Sequence, residues 1–163
     1  MTRATSAETV RAAVPGDTYR DGLLSDIVPF WLRHGLDRDG TVDDTDKSLW
    51  FQGRCGWLLG TLCTEVEPRD EWLAGCRSCV TFLRRHGFDT DGRMFFAVTR
   101  DGRPLRKQRY GFSEMFAAMA LAALAAATRD EAAGREALGL FERACTRLER
   151  PGGIEPKIVG DFG

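Results

Sequence analysis

Histidine is scarce in this chain: His34 and His86 are the two among 163 residues. There is no HxxxH pair and no second CxxC, so a zinc site has no complete ligand set to draw on. No glycine-rich phosphate loop occurs, no apolar run reaches the length of a bilayer span, and residues 1 to 20 carry no secretory apolar segment. Charged residues make up 29% of the chain yet nearly cancel, and the net charge of −1 gives no electrostatic pull toward nucleic acid or a membrane surface. The expectation is a cytoplasmic protein with no essential cofactor, no metal, and neither nucleic acid nor membrane as partner. The length suits one domain with a core of its own.

Cysteine is present in an odd number, as Cys55, Cys63, Cys76, Cys79 and Cys145. Without an export signal, that favours reduced thiols over a disulfide framework. Cys76-Arg-Ser-Cys79 has redox or zinc spacing. Trp72, Leu73, Cys76, Cys79, Val80 and Leu83 nevertheless share a helical stripe, and packing is the stronger reading.

Along the chain, residues 1–17 are polar and alanine-rich, break at Pro15-Gly16, and read as a flexible leader to a domain over 18–163. A first helix is expected over Thr18 to Arg33, with Pro29 as a kink or break. A second, over 45–66, starts from Thr45 or Asp46 as cap and is closed by Pro68. A third, over 69–86, ends at His86-Gly87. Met94 to Leu105 then has β-formers on both sides of Asp101-Gly102, the signature of a hairpin whose second arm, bearing Pro104, is an edge. Helix four starts near Ser113, and its eight alanines between 117 and 127 permit close approach by neighbouring helices. Helix five covers 130–148.

The second helix holds the most informative stretch. Read at about 100° per residue, Trp50, Arg54, Trp57, Leu58 and Thr61 share one face, which places Arg54 among tryptophans. A guanidinium there needs a carboxylate, backbone carbonyls or a polar cleft. A structural ion pair is one reading; the other is a ligand pocket, because a planar donor fork beside aromatic faces suits a polyol or an oxyanion.

The chain also repeats itself. His34-Gly-Leu-Asp37 answers to His86-Gly-Phe-Asp89 at an offset of 52, and Arg38-Asp-Gly40 to Arg100-Asp-Gly102 at an offset of 62. Between them the second copy carries the first arm of the hairpin, which the first copy lacks. Repeated helix–loop–helix units with alanine-rich and aromatic faces point to a helical toroid whose inner helices line a cleft.

His34-Gly-Leu-Asp37, Asp44-Thr-Asp-Lys47 running into Trp50-Phe-Gln-Gly-Arg54 and Trp57, His86-Gly-Phe-Asp-Thr-Asp-Gly92, Arg100-Asp-Gly-Arg-Pro-Leu105 and Tyr110-Gly-Phe-Ser-Glu-Met-Phe116 together resemble the N-acylglucosamine 2-epimerase family, which includes cellobiose 2-epimerases and mannose isomerases. The likeness covers about residues 20 to 160. It implies an all-α fold, the N-terminal part of an (α/α)6 barrel, with about five helices and one hairpin near 94–105. It also implies sugar epimerase or isomerase chemistry: proton transfer at carbon 2 of an open-chain aldose such as N-acylglucosamine or mannose, through an enediolate, with two histidines as acid and base and an arginine at the oxyanion. Arg54 matches the arginine position. Trp50, Tyr110 and Glu114 fall in segments that line the sugar pocket; Glu114 reads more readily as a first-turn carboxylate favouring the helix dipole, or as the ion-pair partner of Arg54.

Two departures qualify the activity. The acid and base histidines belong to the later half of the barrel, and His34 and His86 sit at equivalent helix C-termini, where a dipole-facing structural role is the stronger reading. The loop at Asp37-Arg38 lacks the hairpin its counterpart has. The expectation is therefore a truncated isomerase, inactive alone. The alternative is a non-catalytic half-barrel that needs a partner chain, either a second copy as a homo-oligomer or a complementary second half.

Overall fold

The structure is a computed structural model that describes residues 15–30, 46–107 and 111–153. The chain divides at residues 44 and 45 into two units. In the first, helix α1 (Pro15–Gly22) opens on a proline, whose missing N–H would be unpaired at a helix start in any case. It begins earlier than the expected Thr18 and runs into a wider turn over Leu23–Ile27, closed by the Val28 N–H donating to the Leu23 carbonyl. Pro29 follows directly. Its ring crowds the carbonyl four residues back, and a locally widened helix relieves that crowding. The expected continuation to Arg33, His34 and the first copy of the repeat lie outside the described residues.

The second unit holds strand β1 (Lys47–Ser48), helices α2 (Leu49–Glu65) and α3 (Asp70–His86), strands β2 (Ala97–Val98) and β3 (Pro104–Arg106), and helices α4 (Phe112–Thr128) and α5 (Glu131–Glu149). Five helices are thus found among the described residues, as expected. Each of α2 to α5 starts or ends within a few residues of the boundary read from sequence. One start differs instructively: Lys47 and Ser48 are taken into antiparallel pairing with Val98 and Ala97, so α2 begins at Leu49 and not at a cap on Thr45 or Asp46. The Leu49 N–H donates to the Phe96 carbonyl, which ties the head of α2 to the hairpin. Similarly, α4 starts at Phe112, and Ser113 is buried rather than capping.

The sheet order is β1-β2-β3, all antiparallel, with β3 at the edge where Pro104 can lack a donor without breaking a ladder. The hairpin turns at Gly102, whose φ of +90° favours glycine. His86 lies directly over that turn, and its ring also packs against Phe82 at 4.9 Å.

Helix packing follows from three glycines. Gly53, Gly56 and Gly60 occupy one face of α2, and a Cβ built there would lie 2.6 Å from the Phe116 carbonyl carbon, 3.1 Å from Ala120 Cβ and 2.8 Å from Ala123 Cβ, respectively. Ordinary carbon contacts are about 3.5–4.0 Å, so α4 approaches as closely as it does because those side chains are missing. Since 53, 56 and 60 meet 116, 120 and 123 in ascending order, α2 and α4 run in the same direction. Gly56 meets Cys79 and Gly60 meets Cys76 on α3, so that pair is antiparallel, as are α4 and α5, where Gly134 faces Ala125. The result is two helical hairpins, α2/α3 and α4/α5, set side by side through α2 and α4. Trp72, Cys76, Val80 and Leu83 fill the α3 side of the core, as the stripe predicts, and Ala133, Ala137, Leu140 and Ala144 fill that of α5.

Candidate functional site

The glycine stripe also corrects the reading of α2. Its buried face carries Leu49, Gly53, Gly56, Leu59, Gly60 and Leu62, whereas Trp57 and Leu58 are 38% and 37% exposed and Arg54 is exposed. The tryptophan–arginine stripe lies about a third of a turn from the seam. Arg54 is therefore on an open face and not enclosed. Close helix contact selects residues without side chains, and the bulky indoles are left to line the border of the seam.

On that face the guanidinium lies against two rings that also touch each other. The Arg54 Cζ lies 5.6 Å from the Trp50 ring centre and 5.4 Å from that of Phe116, and the two rings are 6.1 Å apart. Trp50 comes from the preceding turn of α2. Phe116 comes from α4, delivered by the Gly53 contact that seats its backbone against α2. The segment Gln52-Gly53-Arg54 thus has a physical logic: the glycine turns inward and admits α4, and the arginine beside it turns outward onto the ring that α4 brings. Cation–π contact holds the guanidinium against the rings, and none of its N–H groups meets a carboxylate among the described residues. No carboxylate among the described residues pairs with it.

Glu114 is elsewhere. It is 5% exposed, and its Oε1 accepts from the Met94 N–H at 3.1 Å and from the Arg147 Nη1 at 3.1 Å. It is thus the partner of Arg147, not of Arg54. Two residues along a helix are about 200° apart, so Glu114 and Phe116 leave α4 on nearly opposite sides. A shallow cleft beside the ion pair is lined by Arg93, Gly111, Glu114, Arg147 and Leu148. None of Trp50, Arg54 and Phe116 lines it. The structure therefore brings Trp50 and Arg54 together and does not bring Glu114 to them; Tyr110 lies outside the described residues.

Phe116 and Arg147 are the residues the sequence reading passed over. Arg147 extends by one turn the buried face of α5 that carries Ala137, Leu140 and Ala144, a face that differs from the expected stripe of Leu138, Phe141 and Leu148. Phe116 carries no signal in the sequence, because its role depends on a contact between two helices.

The remaining candidates are structural. His86 is engaged by Phe82 and the Gly102 turn. Cys76 is fully buried, its thiol pushed up to about 11 by burial and then by the neighbouring Cys63 and Cys55. Asp89 and Asp91, in the second copy of the repeat, are bridged by Lys107 in the residues leaving β3. Among the described residues, no helix is long and apolar enough to cross a membrane.

Residues 32–153 match the family described as N-acylglucosamine 2-epimerase (GlcNAc 2-epimerase). The chain is 33% identical over 154 residues to N-acylglucosamine 2-epimerase from Bos taurus, an alignment covering 84% of this chain and 36% of that protein. It is 31% identical over 135 residues to the enzyme of that name from Homo sapiens, covering 74% and 32%. The chain thus spans about a third of the length of these curated relatives. Among solved structures it resembles a sugar epimerase from a ruminal bacterium, with a TM-score of 0.73 and 21% identity over 86% of this chain and 39% of that one. It also resembles cellobiose 2-epimerase from Spirochaeta thermophila, with a TM-score of 0.70 and 25% identity over 80% and 35%. The fold is accordingly all-α, the N-terminal part of an (α/α)6 barrel, as expected.

Proposed function

The chain belongs to the N-acylglucosamine 2-epimerase family, and from that premise we propose that it supplies the cationic wall of a cleft in which a proton is exchanged at carbon 2 of an open-chain aldose. The observation that carries this reading is the Arg54 guanidinium held against the Trp50 and Phe116 rings, with no carboxylate partner among the described residues. Removing the carbon-2 proton moves negative charge onto the carbonyl oxygen. A cation fixed in advance at that oxygen stabilises the enediolate more than the neutral sugar, which is the condition for lowering the barrier. Trp50 offers a face on which a sugar ring or its extended chain can lie. Tyr110 remains in the proposal as a pocket residue leading into α4.

Proton transfer also needs a base. His86 is engaged by the hairpin, and His34 holds the equivalent place in the repeat. Lack of a positioned general base costs on the order of a hundred- to ten-thousand-fold. The chain alone is therefore proposed to bind sugar weakly and not to turn it over.

The test is isotopic. Incubation with N-acetylmannosamine, N-acetylglucosamine, mannose or cellobiose in D2O is expected to leave carbon 2 unlabelled, while the sugar that binds changes tryptophan fluorescence in the wild type and not in Arg54→Ala. Ready deuterium incorporation overturns the claim of inactivity. An equal fluorescence response in Arg54→Ala overturns the role of the guanidinium.

A second reading, in which the chain works with separately supplied remaining helices of the barrel, is favoured by one observation. Leu138, Phe141 and Leu148 form an apolar stripe on α5 that is 57%, 48% and 43% exposed. Sedimentation and hydrogen exchange decide here, since a compact, well-protected monomer counts against an exposed docking surface. Five cysteines, all free thiols, support a reducing, cytoplasmic setting for either reading.

A further inference from the structure

Helix α5 has two apolar faces, and its own unit covers one of them. Ala133, Ala137, Leu140 and Ala144 are buried. Leu138, Phe141, Cys145 and Leu148 lie about a quarter turn away, at intervals of three, four and three residues. The first, second and fourth are exposed and Cys145 is half-buried. Alternation of three and four is the spacing at which two helices interlock side chains along a seam. The shape of this face therefore suits another helix, and the charges beside it say which one.

Arg135, Glu142 and Glu149 recur every seven residues along one border of the stripe, and all three are exposed. The opposite border is formed by Ala137 and Ala144, which are buried. A second copy can be laid antiparallel on the stripe with Leu138 level with Leu148 of that copy. The same register sets Phe141 opposite Cys145 of the second copy, since each lies three residues further inward, and a ring meets a sulfur there. The two-fold axis stands perpendicular to the plane of the two helices, so the charged border of one copy lies beside the charged border of the other. Arg135 then falls within two residues, about 3 Å along the axis, of Glu149 of the second copy. Symmetry repeats that ion pair at the far end. Arg135 touches Glu131 one turn back, both side chains being largely exposed, and can turn from it to the new partner. Glu142 lies near the axis and meets its own symmetry mate, a like-charge contact that weakens the pair. In a parallel arrangement the charged border would face the alanine border, and no charge would be matched.

We propose that the exposed stripe of α5 is a self-association surface on which a second copy of this chain docks antiparallel, held in register by two Arg135–Glu149 ion pairs. The proposal rests on the stripe and its charges alone, and holds whether or not Arg54 meets a sugar. Four seam residues per helix make a small interface, so the expected dissociation constant is on the order of 10 μM.

The experiment is analytical ultracentrifugation of the full chain under reducing conditions, from about 1 μM to about 500 μM. The wild type is expected to pass from monomer to dimer and to stop there, because a two-fold contact closes on itself. Arg135→Glu and Glu149→Arg, each alone, are expected to weaken the dimer about tenfold, since symmetry counts each substitution twice. An equal mixture of the two variants is expected to recover the wild-type affinity, because the mixed dimer has both ion pairs again, one of them with its signs exchanged. Both positions are exposed, so the fold is expected to be kept, and circular dichroism checks this for each variant. A wild type that stays monomeric throughout overturns the proposal and leaves the stripe to separately supplied helices of the barrel. Growth beyond the dimer, single variants as tight as the wild type, or a mixture no tighter than its components would overturn it as well.

Discussion

Adding one methyl group at Gly53 sets two effects of opposite sign against each other. In an isolated helix, Gly→Ala stabilises by about 1 kcal/mol. Here the new Cβ would lie 2.6 Å from the Phe116 carbonyl carbon and 2.8 Å from both its Cβ and its oxygen. Two of those atoms are backbone and cannot rotate away, so α2 and α4 must separate by close to an ångström along their most extensive contact. Overpacking of this kind costs about 1–3 kcal/mol, and a backbone obstacle belongs at the upper end. The net expectation is a loss of about 2 kcal/mol. With a urea dependence of about 2 kcal/mol per molar for a chain of this size, the unfolding midpoint falls by about 1 M. Gly134→Ala is the matched control. It makes the same chemical change in the first turn of α5, and its Cβ would meet Ala125 Cβ at an ordinary 3.7 Å. That variant should gain up to about 1 kcal/mol. Urea titration followed by circular dichroism measures both. A Gly53→Ala midpoint equal to or above that of the wild type would refute the account of the seam.

Other expectations follow from particular contacts. Glu114→Ala leaves the Met94 N–H and the Arg147 guanidinium without their shared acceptor and should cost about 3 kcal/mol, while Glu114→Gln, which keeps an acceptor oxygen, should cost less; a double-mutant cycle with Arg147→Met tests whether the two side chains couple. Asp130 caps α5 by accepting from the Ala132 and Ala133 N–H groups at 2.9 and 3.1 Å, so Asp130→Ala should cost about 1 kcal/mol by urea titration. For Asp89, hydrogen bonding to Lys107 comes first and to the Thr90 N–H second in holding its carboxyl below the usual 3.8; for Asp91, the Arg93 N–H comes first and Lys107 second. Because both are lowered on folding, their contribution is complete above the unfolded carboxylate value and is lost as pH falls through the folded ones. Lys107→Met should therefore move both carboxyls upward in an NMR titration, and an unchanged titration would count against the bridge.

Much of the fold is legible because helices announce themselves by period. Trp72, Cys76, Val80 and Leu83 recur as a buried stripe must, and Asp101-Gly102 marks its turn by chemistry that few other residues supply. What could not be read is what depends on contacts distant in sequence. A two-residue strand such as Lys47–Ser48 has no period, and its pairing with Ala97–Val98 decides where α2 starts. The buried face of α2 was misassigned because glycine carries almost no hydrophobic weight, although at Gly53, Gly56 and Gly60 its lack of a side chain governs the packing. For the site, the neighbourhood of Trp50 and Arg54 was visible as a one-turn spacing. Phe116, the second ring against the guanidinium, was not, and the Glu114 partner proved to be an arginine on another helix.

The seam between α2 and α4 also bears on how the guanidinium responds to its medium. Gly53, Gly56 and Gly60 meet Phe116, Ala120 and Ala123 through carbon atoms and backbone, with no ionisable side chain at those contacts. The spacing between Arg54 and the Phe116 ring is thus set by surfaces indifferent to ionic strength and to acid. Counterions can compete for the open edge of the guanidinium without altering the platform beneath it, so a dependence of anion affinity on added electrolyte would report the charge of one side chain and not a change of shape.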